Sequence, residues 1–219
     1  DPDRLHVVGA LRYPHLHGPP YPPTPAASAE PRARILVALP IDPVLARHCL
    51  SALRRAFPDG GAGDRLAFSI RPHPLAPLAA RELAGWAAIQ DPARVRFPEA
   101  LASCDAVLFC GSTVGFEAIA ARRPAVRFRA ALMIDLDENY GAGVPSCDEA
   151  TMRETLLRVR DHGLPDAAWC AAERILADCF LPPDREAVER VFSHAAGRPA
   201  ADPFQEAPAP LPYDANAAR

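Results

Sequence analysis

The sequence predicts an α/β protein, a parallel sheet doubly wound by helices that flank both of its faces. Three observations lead there. Strand-like runs recur at 35–39 (ILVAL), 66–70 (LAFSI) and 106–110 (AVLFC), and a continuous apolar run such as 35–39 marks a strand buried on both faces. Between and after them lie segments of about 10–15 residues with apolar side chains at helical period. Helix start and stop signals stand at the boundaries of those segments. Strands alternating with helices of that length form βαβ units, and such units build parallel sheets.

Taken in order, residues 5–11 (LHVVGAL) are a first strand candidate, followed by a proline-rich run over 14–31. Proline lacks the amide donor and fixes φ, so that run forms neither helix nor central strand. Residues 1–33 are therefore expected to be a linker or extended segment. The α/β domain is expected over 34–196. Asp42 is placed as an N-cap with Pro43 at the first helical position. Leu45, Cys49, Ala52, Leu53 and Ala56 form the apolar stripe of that helix, and Pro58-Asp59-Gly60-Gly61 stops it. After the strand at 66–70, the pattern predicts a helix over 78–89, a short strand over 94–97 and a one- to two-turn helix over 98–103. The strand at 106–110 leads into a helix over 114–121 and a strand over 124–128. Helices are predicted over 148–160, 167–180 and 184–195, and the Ala/Pro-rich tail 197–219 is expected to be disordered.

Composition narrows the function. The 219 residues are 49% hydrophobic and 23% charged, with a net charge of -3. That balance offers no electrostatic case for nucleic acid or an anionic membrane. All 24 basic residues are Arg; with so much Ala and Pro this reads as the mark of a GC-rich genome rather than of phosphate binding. The six cysteines, Cys49, Cys104, Cys110, Cys147, Cys170 and Cys179, contain no C-x-x-C pair. They fit neither a zinc site nor a disulfide framework, and most read as small reduced core residues. Without a signal-peptide pattern or a run of about 20 apolar residues, the protein is expected to be cytoplasmic. Trp86 and Trp169 are expected on amphipathic helices, facing the core. The histidines show no metal spacing, and the acidic loop at 135–143 (DLDENYGAG) reads more simply as solvated than as a cation site, so no metal is expected.

In a doubly wound sheet, ligands bind beyond the carboxyl ends of the strands. Two loops there carry chemistry. Arg71-Pro72-His73-Pro74 follows a strand directly; its prolines keep the loop extended, so His73 is held rigidly where an imidazole nitrogen could donate to a phosphate, with Arg71 as a fork. Read plainly, His73 is a loop histidine bonded to water. In the second loop a strand runs through Cys110 and Gly111 into Ser112 and Thr113 at a helix start. There, unpaired amides and two hydroxyls suit an anion, and Glu117, one turn on, suits the hydroxyls of a ribose. The simpler reading is capping by Ser112 or Thr113, close packing at Gly115 and a solvated Glu117. The two loops are expected at neighbouring strand ends, where one phosphate is reached from both.

R-P-H-P at 71–74 together with G-S-T-V-G-F-E-A-I-A-A-R-R-P-A-V-R-F at 111–128 resembles the C-terminal, donor-binding domain of GT-B glycosyltransferases. The similarity is greatest to bacterial capsule and surface-polysaccharide enzymes with HP and S/ST motifs, and it covers residues 34–160. The resemblance implies a Rossmann-like GT-B half in which Arg71, His73, Pro74, Gly111, Ser112 and Thr113 bind the donor phosphate and Glu117 the ribose. It implies a nucleotide-sugar donor, a CMP-sugar first and a UDP-sugar second, with no further cofactor. The acceptor would be a glycan or glycolipid, which places the enzyme at the membrane periphery. A second, N-terminal domain is expected outside this chain, and with it the catalytic base, so no catalytic residue is assigned here. At Arg123 the chain departs from the glycine usual before the strand proline. A G-x-G-x-x-G is missing, against a dehydrogenase. The alternatives are a nucleotide-sugar 2-epimerase, which resembles this fold but carries a more acidic, glutamine-containing segment around the hydroxyls, and a non-catalytic binding module.

Overall fold

A computed structural model describes residues 32–130, 143–182 and 184–196. The strand candidate at 5–11, the proline-rich run and the tail lie outside these residues, as does the acidic loop apart from Gly143. β1 (Ala33–Ala38), β2 (Leu66–Arg71) and β4 (Ala106–Phe109) occupy the three runs and β5 (Ala125–Phe128) the strand expected at 124–128; β4 and β5 are buried throughout, as strands covered on both faces are. β3 (Ala88–Ile89) and β6 (Ser146–Cys147) are two-residue strands at the edges. Among the described residues the strands pair in parallel, in the order β3-β2-β1-β4-β5-β6. From β1 the chain winds out to β2 and β3, then returns beside β1 and winds the other way through β5 to β6.

Alternate strand residues serve opposite faces. Ile35 and Val37 join Leu108, Val126 and Phe128 in one core with α1 (Pro43–Ala56) and α5 (Met152–His162). On the other face α4 (Val114–Ala120) packs on β4, β5 and α6 (Asp166–Cys179). α1 starts as expected: the Asp42 carboxylate accepts from the Val44 amide at 2.7 Å and Pro43 opens the helix. At the base of the sheet Asp105 accepts from the Arg34 amide at 2.7 Å and from its guanidinium at 3.2 Å, pinning β4 beside β1. The chain divides after Leu181, and α7 (Arg185–Ala196) belongs to a second unit. Its first turn is capped by Asp184, whose carboxylate accepts from the Ala187 amide at 3.0 Å. Among the described residues no helix is long and apolar enough to cross a membrane.

Four elements differ from expectation. The helix expected over 78–89 is a single turn, α2 (Ala80–Leu83), after which Gly85 at φ 86° turns the chain out of helix. Trp86 therefore sits on the connection to β3 rather than on a helix. It still packs against the core, edge-on to Phe68 at 6.0 Å, and Trp169 on α6 does so too. The strand expected over 94–97 is instead a turn held by the Asp91 carbonyl, and Phe97 opens α3 (Phe97–Ala102). Residues 148–151 form a turn before α5, in which the Asp148 carboxylate accepts from the Ala150 and Thr151 amides at 3.0 and 2.9 Å. β6 went unread because two residues carry no periodicity.

Cys49, Cys104, Cys110 and Cys147 are buried free thiols, while Cys170 is exposed. Burial pushes the Cys104 and Cys147 thiols up to about 12, which keeps them protonated and inert.

Arg65, exposed at the entry to β2, is held at φ 53°. A side chain in the left-handed region costs about 1–2 kcal/mol, partly offset in a glycine variant by an unfolded state gaining about 0.4–1 kcal/mol of freedom. Arg65→Gly is thus expected to stabilise the fold by about 0.5–1 kcal/mol, read as a rise in the thermal unfolding midpoint.

Candidate functional site

The strand order reverses between β1 and β4. The loop leaving β1 and the loop leaving β4 depart in opposite directions and open a crevice at the carboxyl edge. The ends of β2, β1 and β4 are level, since Arg71 pairs with Ala38 and Ala38 with Phe109. The Leu39 amide donates to the Arg71 carbonyl at 3.0 Å, carrying the β1–β2 register past the strand ends.

The loop after β2 is a tight turn. The Ala76 amide donates to the His73 carbonyl at 3.0 Å, and Pro74 and Leu75 form its exposed tip. The Leu75 amide donates to His73 Nδ1 at 3.2 Å. A ring nitrogen that accepts carries no proton, so in the neutral ring the proton sits on Nε2. The half-buried imidazole thus has its tautomer set by its own loop, with Nε2–H as the donor.

Arg71 is turned the other way. Its guanidinium is buried, donates to the Val95 carbonyl at 2.8 Å and to Gln90 Oε1 at 3.4 Å, and lies 5.6 Å over the Phe97 ring. Burial lowers its pKa, with the nearby Asp91 acting in the opposite sense. Both bonds come from Nη1, which holds the α2–α3 segment against the root of the His73 loop.

At the other loop, Gly111 adopts φ 50°, a left-handed turn that suits glycine and lets β4 break directly into α4. The N-cap position is Thr113, and Ser112 Oγ just before it accepts from the Val114 amide at 3.3 Å; a hydroxyl both accepts and donates. The Thr113 side chain makes no capping bond and is exposed, and its carbonyl accepts from the Phe116 amide at 3.0 Å. Half-buried Glu117 lies one turn further along α4. A Cβ at Gly115 would lie 2.5 Å from Phe109 Cζ, so the close packing expected at this glycine holds.

His73 and Ser112 lie on the same carboxyl edge, but not on neighbouring strands, because β1 runs between β2 and β4. At about 4.8 Å per strand spacing, the two exits are about 10 Å apart. The loop they bracket is Leu39-Pro40-Ile41-Asp42, which sequence reasoning read only as the start of α1. Its place in the crevice depends on strand order, which no local pattern encodes. Ile41, Val44 and Leu75, respectively 56%, 57% and 79% exposed, add an aliphatic rim.

No known protein family matches this sequence, and no curated protein matches it. Solved structures do share the fold. The glycosyltransferase SnogD from Streptomyces nogalater superposes with a TM-score of 0.51 at 21% identity, over 80% of this chain and 47% of that one. The calicheamicin glycosyltransferase CalG4 gives 0.50 at 18% identity, over 82% and 44%. A protein described as a UDP-N-acetylglucosamine 2-epimerase from Listeria monocytogenes gives 0.51 at 14% identity, over 91% and 56%. The chain spans about half the length of these structures. The fold is thus GT-B-like: a Rossmann-type parallel sheet of the kind found in glycosyltransferases and in an epimerase.

Proposed function

We propose that this chain is the nucleotide-sugar-binding half of a GT-B glycosyltransferase of bacterial surface-polysaccharide synthesis. The observation that carries the reading is the bracketing of the β1 exit, at the switch point of the sheet, by His73 on one side and Ser112–Thr113 on the other. His73 Nε2–H, the two hydroxyls and the amides of residues 111–113 would donate to donor phosphate oxygens. They would also hold the leaving nucleotide as it gains charge when the sugar departs. Glu117 would accept from the ribose. Pro74 would fix the turn that presents His73, and Arg71 would brace that turn from below.

The spacing bears on the donor. A diphosphate reaches across about 10 Å between strand exits more readily than the single phosphate of a CMP-sugar, and on that ground we put UDP ahead of CMP. A UDP-sugar in the name of one fold relative points the same way. The sugar would pass to a glycan or glycolipid at the membrane periphery, with a second domain supplying the catalytic base and the opposite wall of the cleft.

Titration calorimetry of the chain with UDP and with CMP tests this. UDP is expected to bind, and His73→Ala and Ser112→Ala are each expected to weaken it about tenfold, the loss of one charge-assisted hydrogen bond of about 1.5 kcal/mol. Affinity unchanged in both variants would remove the phosphate from these loops. Wild-type protein that binds neither nucleotide would favour a non-catalytic module.

A further inference from the structure

α5 ends about 16 Å along its axis from the turn that leaves β6. Around that end lies a cavity of about 410 Å³, lined by Pro145, Arg158, Val159, His162, Gly163, Leu164, Pro165 and Ala168. None of these residues belongs to the loops at the carboxyl edge. The volume falls within the range of small-molecule sites, roughly 300–1,000 Å³. The wall is apolar: Val159, Leu164 and Ala168 are core residues turned to it, and two prolines complete it.

At the rim stand two basic side chains one helical turn apart, Arg158 and His162, both exposed. The other arginines of α5 are engaged: Arg153 donates to the Ala56 carbonyl at 3.0 Å and Arg160 to the Asp161 carboxylate at 2.7 Å. Among the described residues Arg158 makes no hydrogen bond or ion pair. The nearest acidic neighbour of His162 is Asp161, whose carboxyl is held low chiefly by its hydrogen bond from Arg160. Glu154 and Asp161 lie within one turn of Arg158 along α5 but form no ion pair with it, and an apolar chamber with an unpaired guanidinium at its mouth is complementary to a molecule with an apolar body and one anionic end.

From this we infer a second ligand site at the α5–α6 corner, which takes a small amphiphilic anion: its apolar body against Leu164 and Ala168, its carboxylate or phosphate on Arg158. The shared chemistry is the anionic amphiphile, and the two head groups are told apart by the probes below.

Octyl phosphate, octanoate and neutral octanol, each titrated into the whole chain by calorimetry, decide it. At least one anion is expected to bind with one-to-one stoichiometry and at least tenfold more tightly than octanol. Arg158→Glu, an exposed change that leaves the core intact, is expected to weaken that anion at least tenfold. Ala168→Phe is expected to abolish binding by filling the chamber; should it unfold the protein, Arg158→Glu still decides. UDP affinity is expected to be the same in Arg158→Glu as in wild type, which separates this site from the donor loops. Failure of both anions to bind at millimolar concentration would overturn the inference, as would binding that survives Arg158→Glu or octanol binding as tightly as the anions.

Discussion

Gly115→Ala is expected to destabilise the domain by about 1–3 kcal/mol, the usual cost of forcing extra atoms into a packed core. The added methyl would stand 2.5 Å from Phe109 Cζ and 2.9 Å from both Cε atoms of the same ring. Phe109 is fully buried at the end of β4, with α4 crossing directly above it. The ring cannot swing away without opening the sheet–helix contact, so α4 must lift. For a domain of this size the loss corresponds to a fall of roughly 3–10 °C in the thermal midpoint. Lifting α4 also carries Gly111, Ser112 and Thr113 with it, so UDP affinity should drop in the same variant. The sharper test is rescue. Phe109→Leu alone should destabilise by leaving a gap, yet combined with Gly115→Ala it should recover part of the loss, because the smaller side chain vacates the space the methyl needs. Strictly additive losses in the double variant would show that the two residues do not meet.

How far the sequence discloses this molecule depends on which physical signals are local. β1 and β4 were legible because burial on both faces demands an unbroken apolar run, β2 and β5 because their runs are broken by a single polar residue, and α1 because Asp42 and Pro43 announce its start. The loops at 71–74 and 110–113 were legible because each follows a strand without a break. Their relation was not. Nothing in the residues of β2 and β4 says that β1 lies between them, since the crossover that sends β4 back beside β1 leaves no mark on either strand. The departure noted at Arg123 also finds its explanation in three dimensions. The left-handed residue of that turn is Arg122, at φ 56°, so the conformation that suits glycine lies one position earlier. Arg123 is instead a buried side chain whose Nε donates to the Leu101 carbonyl at 3.0 Å, closing the last turn of α3. At Arg123, as at Arg71, the sequence displays a charged residue, and only packing decides whether the charge faces a ligand or a carbonyl.

Arg71 poses that question in its sharpest form, and Arg71→Ala answers it. The substitution is expected to cost about 2–4 kcal/mol of stability, by orphaning a buried carbonyl and emptying the volume of a buried side chain. The Val95 carbonyl loses its 2.8 Å donor, Phe97 loses the guanidinium stacked 5.6 Å over its ring, and the α2–α3 segment loses its tie to β2. His73→Ala, two residues on, removes only a half-buried ring that accepts the Leu75 amide of its own loop. It should leave the thermal midpoint within the effect of an ordinary surface change, roughly 0.5 kcal/mol, while weakening UDP. Adjacent substitutions therefore separate into one that unfolds and one that unbinds. Arg71→Lys sharpens the distinction, because it keeps the positive charge but loses the planar fork and the stacking face. If Arg71 braces the loop, the lysine variant should remain destabilised while its UDP affinity, measured well below its melting range, stays within a few-fold of wild type. If Arg71 contacts the phosphate, stability should be nearly unchanged in both variants. UDP affinity should then collapse in Arg71→Ala, recover partly in Arg71→Lys, and fall less steeply with added salt once the charge is gone.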